Sequence, residues 1–407
     1  MKKTVNHILA AGLLALLSLA SCTDEFIEGN DLQGVDRDKR VEVRLPFGVG
    51  RGITTTITTR AAGGEIDYDS QLSGVMAFVY EAKSDNPEEN ELLAYHLFSN
   101  PSNKPLEGAT GGWIADNDDP TCGEIKFYVP VGDVYIYLLG NAQSSFLNFF
   151  PGVSGGDALG TQAEFFEKAT PKWNGNIHSV DGYLPLTGMV NNNTGLCHVN
   201  EQGQISYTDE EGKTHTLLPD GKHDEDNSFV LKRLMSKITM NIREGKGVKF
   251  TARDYTVRHI PHYVSPTAQA WTEEERDRIL VEDAKPVNFG LLDSLTFTIY
   301  LPENIRKVRS GVEITEYRQR DKVVKTADNK NTEETAPDDF HADNADNHKG
   351  HYKFEFAPKA STYIELTGWF ENADKTVAAD VRYYIHLGNF GKDLNHFSVE
   401  RDHHYTY

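Results

Sequence analysis

Two groups of side chains in this 407-residue sequence have the types that could do chemistry. Asp338, Asp339, His341, Asp343, Asp346 and His348 offer carboxylates and imidazoles to a divalent cation. Their spacing matches neither an EF-hand loop nor a zinc pattern, so a solvated acidic loop over residues 326–350 is the better reading. His403 and His404 stand beside Tyr405 and Tyr407. On a strand the two imidazoles point to opposite faces and make poor joint ligands. Carboxylates are abundant enough that some pair falls at a glycosidase separation by chance. No G-x-S-x-G, H-E-x-x-H, Walker or Rossmann glycine pattern is present. These residues point to no enzyme: no catalytic side chains, no cofactor site and no metal site. Trp113, Trp173, Trp271 and Trp369 could stack on sugar rings. Trp369 lies in a strand-like stretch and is expected in the core; the other three fall in loops.

The clearer chemistry lies near the N-terminus. Lys2 and Lys3 precede an apolar run, Ile8 to Leu19, which is too short to span a bilayer comfortably. It ends in Leu19-Ala20-Ser21-Cys22, which resembles the bacterial lipobox, where cleavage leaves an acylated cysteine as the first residue. Cys22 is thus the expected lipid attachment point, and two or three acyl chains hold a protein where one does not. The alternatives are an ordinary signal peptide or a transmembrane anchor. Residues 1–21 are then the signal peptide and 22–40 a polar tether. The acids Asp24, Glu25 and Glu28 resemble the tag that sends Bacteroidetes lipoproteins to the outer face of the outer membrane.

A second position of interest is Arg60, followed by the small, flexible Ala61-Ala62-Gly63-Gly64. The segment before it, Ile53 to Thr59, is β-prone but has only Ile53 and Ile57 as apolar contributors. Arg60 and Ala61 therefore form a candidate proteolytic site; the alternative is an ordinary exposed arginine.

Loss of Lys2 and Lys3 from the 41 basic residues leaves 39 against 61 acidic ones, a net charge of −22. That balance repels nucleic acid and anionic membrane surfaces. Tyr, Phe and Gly are plentiful, as strands and turns require. Once Cys22 is acylated, Cys122 and Cys197 remain. They could pair in an oxidising envelope, but both lie far apart in loop-like sequence, and two free thiols are the better reading.

The elements read mainly as strands. Val41–Leu45, Leu72–Tyr80, Leu92–Phe98, Ile125–Tyr128 and Val134–Leu139 come first. Thr161-Gln162-Ala163-Glu164 has the capping-box pattern of a short helix, and Thr272-Glu273-Glu274-Glu275 opens another reaching about Glu282. Ile205–Thr208 and Thr214–Leu218 flank a turn as a hairpin. The central stretch Ser228–Arg243 fits a helical stripe or a strand. We read it as a strand bent near Arg233, which lets it serve two sheets. Leu295–Leu301, Tyr352–Phe356, Thr362–Phe370 and Val381–Leu387 follow.

The order of these pieces resembles the Bacteroidales fimbrillin family, the lipoprotein subunits and anchors of protease-matured pili. The resemblance rests on the lipobox, Thr59-Arg60-Ala61, Val75–Tyr80 and Val131-Gly132-Asp133-Val134-Tyr135 running into Leu139-Gly140-Asn141-Ala142. It continues through Leu184-Pro185-Leu186-Thr187-Gly188, Leu231-Lys232-Arg233 to Lys237-Ile238, Tyr300-Leu301-Pro302-Glu303-Asn304, Tyr384–Gly388 and Val399–Tyr407. It implies a mainly β fold of two tandem transthyretin-like β-sandwich domains, 41–227 and 228–407, with a few short helices. It also implies a structural or adhesive subunit of a cell-surface fimbria, lipid-anchored in the outer membrane. Its partners would be other fimbrial subunits by donor-strand exchange, with a host protein or glycan as adhesion ligand. Removal of the first strand after Arg60 would open the acceptor groove. Family members usually continue past the terminal Tyr-Thr-Tyr. Either the sequence is truncated, or the second domain lacks its final strand. Anchor, stalk and tip roles stay open. The competing reading is a surface glycan-binding β-sandwich lipoprotein.

Overall fold

The computed structural model describes residues 39–50, 53–56, 72–101, 109, 111–116, 121–141, 160–168, 175, 177–178, 184–190, 194–218, 228–266, 281–291, 295–306, 308, 311–325, 340–341 and 351–407. The first half of the chain gives β1 (Arg40–Val49), β2 (Ile53–Thr56), β3 (Gly74–Glu81), β4 (Leu92–Ser99), β5 (Trp113–Ala115), β6 (Cys122–Pro130) and β7 (Gly132–Gly140). Helix α1 (Gln162–Lys168) precedes β8 (Leu186–Gly188), β9 (Leu196–Val199), β10 (Ile205–Thr208), β11 (Thr214–Thr216) and β12 (Phe229–Arg233). Then come β13 (Met235–Asn241), β14 (Val248–Arg258), β15 (Ile260–Pro261), β16 (Val281–Glu282), β17 (Val287–Asn288) and β18 (Thr296–Pro302). After helix α2 (Tyr317–Arg320) the chain closes with β19 (Val323–Lys325), β20 (Phe340–His341), β21 (His351–Phe354), β22 (Tyr363–Asn372), β23 (Ala378–His386) and β24 (His403–Thr406).

The fold is mainly β. Strands from residues 40–233, β2 excepted, build one large sheet whose main path runs β11-β10-β9-β7-β8-β12-β1-β6-β5, with β3 between β4 and β7. Its strands alternate between two cores. On β7, Val134, Ile136 and Leu138 join a cluster with Val43, Leu45, Phe47 and Phe229, while Tyr137 and Leu139 join another with Phe78, Phe165 and Ile238. A strand buried on both faces loses the polar half of its alternation, which is why the stretch from Val134 to Leu139 reads as continuously apolar. Helix α1 lays Phe165 flat against Tyr137, ring centroids 4.9 Å apart. Its capping box is formed: Thr161 Oγ1 accepts from the Glu164 N–H and Glu164 Oε2 from the Thr161 N–H, both at 3.2 Å.

Leu234 separates the sheets. β12 belongs to the large one, and β13 lies in a second, ordered β18-β13-β24-β2. A third sheet, β17-β14-β22-β23, shares its core: Tyr255 stacks on Phe297 at 3.9 Å, among Ile238, Val257, Ile364 and Leu366. Within β14, Arg253 is a bulged extra residue between Ala252 and Asp254. The same buried cluster reaches Phe78, Tyr80 and Tyr137 of the large sheet, and Val35–Tyr407 clusters as one unit.

Several placements differ from what local sequence suggests. β1 lies in the first sheet, but β2 belongs to the second and pairs parallel with β24, from Ile53↔His403 to Thr56↔Thr406. Cys122 and Cys197 are not loop residues; they lie in β6 and β9, buried and unbridged. Trp369 is not core: it is 41% exposed. The helix expected from Thr272 lies outside the described residues apart from its last two positions, Val281–Glu282, which form β16. Helix α2 was not foreseen.

Candidate functional site

The chain's first described strand occupies an interior slot. β1 runs antiparallel to β6 over nine positions, from Arg40↔Pro130 to Gly48↔Cys122. On its other side it runs parallel to β12 at Phe47↔Phe229, Gly48↔Val230 and Val49↔Leu231. The β12 ladder starts one residue after Pro46, which has no N–H to give it. Val43, Leu45 and Phe47 are fully buried, each worth about 2 kcal/mol by area removed from water. Phe47 meets Trp113 edge-on at 4.9 Å.

Two glycines let neighbours close over this strand. A Cβ on Gly123 would stand 2.8 Å from the Ile114 carbonyl and 3.3 Å from the Phe47 ring. Gly203, at φ +76°, presses its backbone so closely on β1 that a Cβ would lie 2.1 Å from the Glu42 oxygen. The turn carrying Gly203 is also tied to the start of β1 by Lys39 Nζ, 2.5 Å from Glu201 Oε1.

The far end of the strand is clasped. The Gly50 N–H donates to the Leu231 carbonyl at 2.9 Å, and Arg233 Nη1 donates to the Gly50 carbonyl at 3.0 Å. The same Nη1 lies 2.7 Å from Asp402 Oδ1, with the two side chains 7% and 12% exposed. Burial pushes the Asp402 carboxyl above its usual range, against the opposing pull of Arg233. Asp402 holds φ 55°, a left-handed position that Asp tolerates, and leads straight into β24. Exit from β1 and entry to β24, the partner of β2, thus converge on one ion pair.

Of the residues singled out in the sequence, Cys22, Arg60 and Ala61 lie outside the described residues, as do Trp173, Trp271 and all of the Asp338–His348 cluster except His341. Trp113, expected in a loop, belongs to β5 and packs on Phe47. His403 and His404 diverge: His403 Nε2 meets Glu400 Oε2 at 3.1 Å, and His404 Nε2 meets Thr239 Oγ1 at 2.9 Å. Burial pushes the Cys197 thiol far up, which leaves it unreactive. Among the described residues no three His, Cys, Asp or Glu side chains could hold a metal ion, and no helix is long and apolar enough to cross a membrane.

Sequence reasoning missed the exposure of Trp369 and the Arg233–Asp402 clasp. The first was readable. In β22 the period of two sets Thr367, Trp369 and Glu371 on the face opposite Leu366, Gly368 and Phe370. The clasp joins residues 169 positions apart and has no local signature.

Residues 299–407 match a family described as a domain of unknown function, DUF4906. No curated protein matches the chain. Among solved structures the chain is similar to the tip fimbrial protein Mfa3 from Porphyromonas gingivalis, with C-terminal truncation. That similarity has 13% identity, 90% of this chain and 94% of that one covered, and a TM-score of 0.43. It is also similar to a candidate cell adhesion protein from Parabacteroides distasonis, at 10% identity, 86% and 85% coverage and a TM-score of 0.35. A candidate cell adhesion protein from Bacteroides eggerthii gives 10% identity, 91% and 85% coverage and the same TM-score, 0.35.

Proposed function

We propose that this chain is a non-enzymatic structural and adhesive subunit of a cell-surface fimbria, exported as an outer-membrane lipoprotein through Cys22 and assembled by strand exchange. The observation that supports this most is the placement of β1. It is an N-terminal strand inserted between two strands distant in sequence, with Val43, Leu45 and Phe47 as its buried side chains. Hydrolysis after Arg60 would separate β1 and β2 together from the rest of the chain. Loss of β1 would leave the β6 and β12 ladders unpaired and an apolar cleft open, and a strand from a neighbouring subunit would satisfy both. The change of sheet at Leu234 supports the division into two tandem sandwich domains. In an anchor subunit the strand stays; in a stalk or tip subunit cleavage releases the chain from its lipid.

The test is to treat the purified protein with an arginine-specific protease and read the new N-terminus. Release of Ala61 with formation of SDS-resistant oligomers is the expected result for a stalk role. Resistance at Arg60, with residues 40–56 protected from hydrogen exchange, rejects cleavage and favours the anchor. Metabolic labelling with a palmitate analogue checks Cys22 separately: Cys22→Ala should abolish the label and release the protein from membranes.

The glycan-binding alternative has one observation in its favour: Trp369 is exposed, with Thr251 and Asp380 as its cross-strand neighbours. Selective binding on a glycan array that is lost in Trp369→Ala would support it.

A further inference from the structure

β23 is the outer strand of the third sheet, pairing only with β22 among the described residues. The ladder fixes which of its backbone groups face outward. Asn372 donates to the Val377 carbonyl at one end and Leu387 to the Thr362 carbonyl at the other, both at 3.0 Å. With no register shift between them, the odd-numbered residues of β23 bond to β22. The even-numbered Ala378, Asp380 and Arg382 direct their N–H and C=O groups away from the sheet. The next outward residues of that parity show where the edge ends: the His386 N–H is taken by Asp321 Oδ1 at 2.8 Å. Beside the open part of the edge stand two exposed apolar side chains, Val377 at 52% and Tyr383 at 43%.

We propose that this edge pairs with the same edge of a second copy of the chain, antiparallel about a two-fold axis at Val381. The register follows from the residues. Outward-facing residues must lie opposite outward-facing ones, which puts Asp380 opposite Arg382 of the second copy, twice by symmetry. On the other face Ala379 lies opposite Tyr383, small against large, and Val381 meets its own copy. Centring the pair on Asp380 would oppose two carboxylates, and centring it on Arg382 would oppose two guanidinium groups, both unfavourable. Only the Val381 register brings unlike charges together across this stretch. The cis partners extend the pattern. Arg253 lies 2.5 Å from Asp380 and Glu365 lies 3.1 Å from Arg382, so charges alternate across the junction. The pairing would join two four-stranded sheets edge to edge. It is independent of the fimbrial reading.

An edge-to-edge contact buries less than a standard interface, so the dimer should be weak and visible by light scattering between about 1 and about 200 µM. The experiment uses the full chain carrying Cys22→Ser, which leaves only buried thiols. Val381→Cys should form a disulfide-linked dimer on mild oxidation, because opposed residues in a non-hydrogen-bonded pair have the Cα spacing a disulfide needs. Asp380→Arg should weaken the dimer about tenfold by opposing like charges, and Asp380→Arg with Arg382→Asp should restore it. Thermal melts of each variant at low concentration verify that the monomer is folded. An Ala379→Cys, Tyr383→Cys double variant repeats the cross-link if Val381→Cys melts early. A chain that stays monomeric throughout and fails to cross-link overturns the proposal. So does a dimer that ignores Asp380→Arg and leaves the cysteine variants uncoupled.

Discussion

Arg233 Nη1 stands 2.7 Å from Asp402 Oδ1 and 3.0 Å from the Gly50 carbonyl, so one cation joins the end of β1, the β12–β13 junction and the start of β24. Removal of the carboxylate would take this counter-charge from a buried guanidinium, a change that costs about 3–5 kcal/mol when a buried pair is broken. Asp402→Ala should therefore lower the denaturation midpoint sharply. Asp402→Asn keeps an acceptor and tolerates the left-handed backbone, so it should cost less. Equal midpoints for Asp402→Ala and the parent chain would show that the clasp contributes nothing.

Arg320 presents a second cation with a structural task. It is fully buried, its guanidinium 4.7 Å from the Phe390 ring centre and 3.9 Å from that of Phe397. Its Nη1 donates to the Leu394 and His396 carbonyls and its Nη2 to those of His386 and Leu387. Burial lowers its pKa to about 10, which still leaves it charged at neutral pH. A lysine cannot stack or fork in this way. Arg320→Lys should cost about 2–4 kcal/mol and raise hydrogen exchange between residues 387 and 398 above that of β13. Unchanged exchange in that segment would count against the role.

Much of the strand inventory was legible because alternation and turn residues are local. The β10–β11 hairpin and the Thr161 capping box follow from neighbouring residues alone, and both form. The bend near Arg233 was readable from a broken phase. What stayed hidden was who pairs with whom. The parallel contact of β1 with β12 spans some 180 residues, and β2 leaves the first sheet although its sequence resembles any β-prone linker. Trp369 was misplaced because a large aromatic in a strand suggests burial, whereas strand phase set it outward with Thr367 and Glu371. Arg320 gave no signal, since its acceptors are backbone carbonyls that any residue supplies.

Acid should weaken the C-terminal sheets. Burial pushes His259 down to about 4 and lowers His386 despite its Asp321 partner at 2.7 Å. Both imidazoles are therefore neutral in the fold, and the unfolded chain binds more protons at mildly acid pH. What these two histidines contribute is intact above about pH 6.5 and is lost as pH drops toward 4, by at most about 3 kcal/mol from His259. His259→Asn keeps a residue that tolerates φ 58° and should flatten that slope, leaving the share carried by His386. Melting temperatures measured from pH 7.5 to pH 4.5 check this. A parallel decline in both proteins would assign the acid sensitivity elsewhere.

The separability of β1 can be tested without any protease. Phe47 is fully buried, packs edge-on against Trp113 and sits where the short β12 ladder begins. Phe47→Ala removes that contact and leaves a cavity, a change that costs about 3 kcal/mol in cores of this kind. If β1 is a plug that opens by itself, the loss should appear first as local exchange. Amides of residues 40–49 would lose protection while those of β3 and β7 keep theirs. If β1 is instead an integral part of the large sheet, protection should fall together across β1, β3, β6 and β7. The nine-position ladder with β6 argues for tight holding along one side, but only three positions hold the other. We expect local opening, because the β12 side is short and depends on Phe47 and the Gly50 clasp. The same variant should be cut faster by an arginine-specific protease if Arg60 becomes accessible as β1 opens. Uniform loss of protection, with no change in cutting, would mean that the strand is not a removable part of this fold.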